Sequence, residues 1–208
     1  LKKIRNILSL AVVLCMIFSL AAVNVSAAPS VPRAATLEIV DSEGNPVSTG
    51  SPGDSITVNV YLENTENTAS MNYRVKFDPA VFDVDAGLNE DYEIPNCVTI
   101  DFAEYYSGLT TPKKWGTLTI GVDGSVGEIS VAGSRSTGIT AANNINNMHI
   151  GGFILTVKAS AASGDTTITL TDAKTLDAGA DGGLPASMIV TPVTFTVTGG
   201  ATLYNVTY

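Results

Sequence analysis

His149 is the only histidine among the 208 residues, set between Met148 and Ile150 at the mouth of a strand-like run. No cysteine or carboxylate lies near it at metal-ligand spacing, and no serine occupies a strand-turn-helix elbow. Neither a zinc site nor a serine hydrolase is expected. Carboxylates are more plentiful. Asp83 with Asp85, and Glu90 with Asp91 and Glu93, have the chemistry of an acid-base pair, but acidic loops of this kind are ordinarily solvated surface. Asp172, Asp177 and Asp181 lie on a Gly-rich stretch that could offer oxygen ligands, yet their spacing is not that of a calcium loop with its closing glutamate. The expectation is a chain that is not an enzyme, holds no metal and needs no cofactor.

Binding chemistry is better represented. Trp115, Tyr105 and Tyr106, with Tyr92 nearby, are aromatic side chains that could stack on sugar rings; Trp115, following Lys113-Lys114 and preceding a strand, is better suited to packing at the core or edge. Asn72, Arg74 and Lys76 alternate with Tyr73, Val75 and Phe77, the period of a strand with one wet and one dry face. Such a wet face is usually only solvated. A nearly flat sheet face with hydrogen-bonding side chains can also hold a helical partner, and Arg74 and Arg135, if neighbours, would be unusual cations on an acidic chain.

The elements that must carry these residues are strands. Asp78-Pro79 ends the strand of Arg74, because proline has no amide proton for a ladder, and Val81, Phe82 and Val84 return the chain to the core. Residues 36–40, 56–62, 98–102, 118–122, 128–132, 153–158 and 166–171 alternate in the same way, with turns at 41–46, 51–54 and 160–165. The runs ending at Val122 and starting at Glu128 are joined by Asp-Gly-Ser-Val-Gly, a hairpin connection. Residues 172–186 predict a Gly/Asp/Ala loop, and 141–147 a weak helical turn rich in asparagine. Pro192 interrupts the last run, 188–198, and predicts an edge or bulged strand there. The pattern is all-β, a two-sheet antiparallel β-sandwich.

Lys2, Lys3 and Arg5 precede an apolar run from Ile7 to Val23, and Val25-Ser26-Ala27 offers small residues at a cleavage point. Residues 1–27 therefore read as a secretory signal, 28–35 as a short leader, and the product as secreted or held at the cell surface. Cleavage leaves eight Lys and Arg against twenty Asp and Glu, a net charge of −12. Such a surface repels phosphate backbones and anionic lipid, so neither nucleic acid nor membrane insertion is expected. One cysteine remains, Cys97, with no internal disulfide partner. Residues 201–208 alternate like the start of another strand and suggest a following module.

Several stretches together resemble the cohesin domain of bacterial cellulosome scaffolds. Pro52-Gly-Asp-Ser55 leads into Ile56-Thr-Val-Asn-Val60, and a strand ends in Phe77-Asp-Pro79 with Val81 and Phe82 just after. Gly152 to Lys158, Gly164 to Asp172, and Val193 to Val197 followed by Gly199-Gly200 continue the likeness, which spans residues 36–200. It implies a flattened jelly roll that recruits dockerins, small calcium-loaded helical modules borne by polysaccharide-degrading enzymes. Carried over by position, the partner-binding slots are Ser70, Asn72 and Arg74 on one strand and Gly133, Ser134 and Arg135 at the loop side. Ser70 and Asn72 stand where the best-known type shows Asn and Asp, and Gly133 where it shows an acidic residue. The alternatives are a carbohydrate-binding module acting through Trp115, Tyr105 and Tyr106, or a structural surface domain.

Overall fold

The structure, a computed structural model, describes residues 32–65, 67–88, 94–99, 117–134, 147–178 and 185–199. Among the described residues twelve strands are formed: β1 (Ala34–Val40), β2 (Thr49–Gly50), β3 (Ser55–Leu62), β4 (Thr68–Lys76), β5 (Phe82–Asp83), β6 (Thr117–Asp123), β7 (Glu128–Ser134), β8 (Met148–Val157), β9 (Gly164–Asp177), β10 (Ala186–Ser187), β11 (Ile189–Val190) and β12 (Val193–Val197). They make two sheets. One runs β11-β1-β3-β8-β5; the other runs β2-β12-β9-β4-β7-β6, with β10 added on β9. Pairing is antiparallel except for the short β1–β11 and β12–β2 contacts.

The inward halves of the alternating patterns meet between the sheets. Val58 and Val60 of β3, Tyr73 and Val75 of β4, Ile129 of β7, Phe153 and Leu155 of β8, Ile168 of β9 and Phe195 of β12 are all buried. Phe82 packs against Phe195 at 5.6 Å between ring centroids and against Phe77 at 6.3 Å, edge on. The dry face expected for Tyr73, Val75 and Phe77 is present, as is the stop: β4 ends at Lys76, and the Asp78 carboxylate accepts the Ala80 amide at 2.8 Å. In the β6–β7 hairpin Gly127 has φ +63, where an added Cβ would lie 2.0 Å from the Phe77 carbonyl oxygen.

Three expectations need correction. β9 does not end at Thr171 but continues through Asp177, so the first part of the predicted 172–186 loop is strand. The strand survives because Asp172 takes φ +50, and the β4–β9 register slips between Asn72 and Arg74. That is a bulge, which absorbs one residue out of phase. Secondly, β8 begins at Met148 rather than after Gly151-Gly152, and its register with β3 shifts so that Ile150 has no partner there. Thirdly, the final run is not one edge strand. β11 pairs with β1 in one sheet, Pro192 follows, and β12 lies between β2 and β9 in the other. Of the 98–102 run Val98 and Thr99 fall within the described residues, with a Val98–Phe153 bridge and the Thr99 amide donating to the Gly152 carbonyl at 3.0 Å, and residues 141–146 lie outside them.

Candidate functional site

The outward face of β4 and its neighbours is an ordered grid. Ser70, Asn72, Arg74 and Lys76 face Ser134, Ala132, Ser130 and Glu128 on β7, and Leu176, Lys174, Thr171 and Thr169 on β9. On the far side of β7, Thr119, Gly121 and Asp123 of β6 extend the rows of Ala132, Ser130 and Glu128. The grid has two halves. Small uncharged side chains occupy the β4 and β7 positions in the rows of Ser70 and Asn72, with Leu176 and Lys174 at the β9 ends of those rows, and charges occupy the rows of Arg74 and Lys76.

The charged half is closed on itself. The Arg74 guanidinium reaches Glu128 at 2.5 Å and Asp172 at 3.1 Å, and Lys76 reaches the other oxygen of Glu128 at 2.8 Å. The Lys76 ammonium foremost, with Arg74, holds the Glu128 carboxyl below its ordinary range. Asp123 is likewise lowered, chiefly by the Ser125 hydroxyl it accepts at 2.6 Å. Exposed pairs of this kind add little stability, but they leave Arg74 without an uncompensated charge.

A groove of about 360 Å³ opens over the rows of Ser70 and Asn72. Ser70, Asn72, Gly133 and Ser134 all line it, together with Ala132, Thr119 and Leu176. Four of the six partner-binding residues carried over by resemblance are thus gathered at one depression. Arg74 stands one row below it, and Arg135 lies outside the described residues, as do Trp115, Tyr105, Tyr106 and Tyr92. Sequence patterning does not reach Lys174 and Leu176, because the alternation that predicts the strand stops at Thr171. The signal was the fresh alternation of buried Ala173 and Thr175 with exposed Lys174. The end of β9 is held in place by Arg33, whose guanidinium meets Asp177 at 2.6 Å, Thr175 at 3.3 Å and the Asn64 carbonyl at 2.7 Å.

The residues weighed for catalysis lie apart from the groove. His149 is on the other sheet, stacked on Tyr61 at 4.7 Å, with Nε2 2.9 Å from the Asn59 amide oxygen. Burial lowers its pKa, and burial with the Glu38 contact raises that of Tyr61, whose hydroxyl donates to Glu38 at 3.0 Å. Asp83 and Asp85 accept local amides, from Val84 at 3.1 Å and from Gly87 at 2.8 Å. Glu90, Asp91, Glu93 and Asp181 are outside the described residues. The Cys97 thiol is buried and pushed up to about 11 by that burial, which leaves it protonated and unreactive. Among the described residues no three His, Cys, Asp or Glu side chains gather where they could hold a metal ion.

A family model, the cohesin domain, matches residues 45–197. Among curated proteins none matches the sequence. Solved structures do. A type II Cohesin-X-Dockerin complex from Acetivibrio cellulolyticus is 13% identical, covers 80% of this chain and 99% of its own, and has a TM-score of 0.52. The sixth cohesin of scaffoldin B from the same organism, in complex with a mutant Cel5 dockerin, is 17% identical over 81% of this chain and 100% of its own, with a TM-score of 0.50. The solution structure of CaCohA2 from Clostridium acetobutylicum is 15% identical over 81% and 93%, also at 0.50. At such identities these likenesses speak to the fold alone. The family match is in sequence and covers well over half of the residues, and with it the chain belongs to the cohesin domain family.

Proposed function

We propose that this chain is a secreted, non-catalytic cohesin that recruits calcium-loaded, dockerin-bearing enzymes of polysaccharide breakdown to a scaffold or cell surface. The observation that carries the proposal is the groove over Ser70, Asn72, Gly133 and Ser134 on the outward face of the β4–β7 sheet. Family membership supports it, since cohesins are non-catalytic binding modules and two of the structural neighbours were solved as dockerin complexes. In this proposal residues 1–27 direct export and are removed, and residues 36–200 form the binding domain.

The test uses exported protein taken from culture medium and beginning at Ala28, titrated against purified dockerin modules with and without a calcium chelator. Binding that chelator abolishes is expected, because the partner's fold depends on the ion whereas no cation site is expected here. Chelator-resistant binding, or none to any dockerin, would overturn the recruiting role. Recovery of the chain only from inside the cell would overturn its export.

A further inference from the structure

The charge pattern around the groove says what its partner must carry. Arg74 and Lys76 are compensated by Glu128 and Asp172. Lys174 has no carboxylate partner among the described residues. It is exposed between buried Ala173 and Thr175, so its side chain points outward, and it pairs in register with Asn72 on β4 and Ser187 on β10. Lys174 therefore stands beside Asn72, which lines the depression. The depression is left open by the small residues Ala132 and Gly133, with Leu176 and Pro185 at its β9 side.

We infer that the contact element of the partner inserts one apolar side chain between Ala132 and Leu176 and flanks it with an aspartate or glutamate that Lys174 receives. The inference rests on this face being the dockerin-binding surface. Covering an ammonium with a partner that offers no acceptor leaves a desolvated, unpaired charge, which disfavours the complex; a carboxylate at the rim offsets that penalty. The net charge of −12 does not forbid an acidic contact. Charges farther away than about 8 Å are largely screened at physiological ionic strength, so Lys174 dominates at contact range.

A library displayed on a calcium-loaded dockerin scaffold, randomised along its helical surface, tests the inference when selected on the exported full chain. Calcium-dependent clones carrying Asp or Glu beside Leu, Ile, Val, Met or Phe are expected. Those clones should bind Lys174→Glu about tenfold or more weakly, and selection on Lys174→Glu should enrich Lys or Arg instead. Lys174→Met, which keeps the stem and removes the charge, should abolish the acidic preference, and Ala132→Trp, which fills the groove, should abolish binding at unchanged Tm. Calcium-dependent clones without acidic residues, or the same clones on wild type and Lys174→Glu, would overturn the inference and leave dockerin recognition standing. Failure to select any calcium-dependent clone on wild type would overturn both.

Discussion

Tyr73 shows how a single side chain joins the two sheets. Its hydroxyl crosses the core from β4 and donates to the Ile150 carbonyl on β8 at 2.7 Å. Ile150 is the residue that the β3–β8 register shift leaves without a partner on β3, and a buried carbonyl left unsatisfied is costly. Gly151 makes room for the approach, since a Cβ there would lie 2.3 Å from the same hydroxyl oxygen and 2.8 Å from the Phe153 ring. Tyr73→Phe should therefore destabilise by about 1–3 kcal/mol, and Gly151→Ala by about 1–3 kcal/mol through overpacking. The double variant should be less destabilised than the two losses added, because the phenylalanine removes the atom the new methyl would strike, although the Phe153 contact remains. Chemical denaturation of the four proteins measures this coupling; strict additivity would mean that the hydroxyl and Gly151 do not meet. The inward direction of Tyr73 was legible from alternation. The acceptor for its hydroxyl was not, because the extra residue at Ile150 follows from the pairing of two strands, which neither strand's own pattern contains.

At the scale of elements, β4 and β9 behave oppositely under the same rule. β4 keeps one phase from Met71 to Phe77, so its buried and exposed residues could be assigned directly from the sequence. β9 changes phase at Asp172, and a pattern of period two then reads as the end of a strand. Beyond the change lie Lys174 and Leu176, which is why the β9 side of the candidate site was hidden while Ser70, Asn72, Gly133 and Ser134 were legible. The bulge has two separable ingredients. Asp172 holds φ +50, and its carboxylate pairs with Arg74. A β-branched side chain is poorly tolerated at positive φ, so Asp172→Val should cost about 1–2 kcal/mol. Asp172→Asn tolerates the same backbone and loses only an exposed ion pair, and should stay within about 0.5 kcal/mol of wild type. Thermal melts distinguish the two; equal losses would show that the charge, and not the backbone, sustains the bulge.

For the molecule as a whole, sandwich architecture and acidity were both legible, because strand alternation and charge are local or summed properties of the sequence. The response of the whole fold to acid was not, since it depends on which groups become buried or paired. His149 sits between Tyr61 and Asn59 on the five-stranded sheet, and burial lowers its folded pKa below the ordinary 6.5. The unfolded chain then binds a proton that the folded chain resists. Stability associated with neutral His149 is complete above about pH 6.5 and is lost as pH falls through the lower, folded value. Asp41, Asp123 and Glu128 are also lowered in the fold, foremost by the Asn45 backbone amide, the Ser125 hydroxyl and the Lys76 ammonium respectively. Their contributions are present above the ordinary carboxylate range and disappear as pH falls through their folded values. Both sets have the same sign in separate windows, so Tm should fall first below about pH 6.5 and again below about pH 4. His149→Gln cannot titrate, and it should flatten the first decline while leaving the second. A decline just below about pH 6.5 that persists unchanged in His149→Gln would assign it to other groups, and the stacked pair of Tyr61 and His149 would then be packing without a proton-linked consequence.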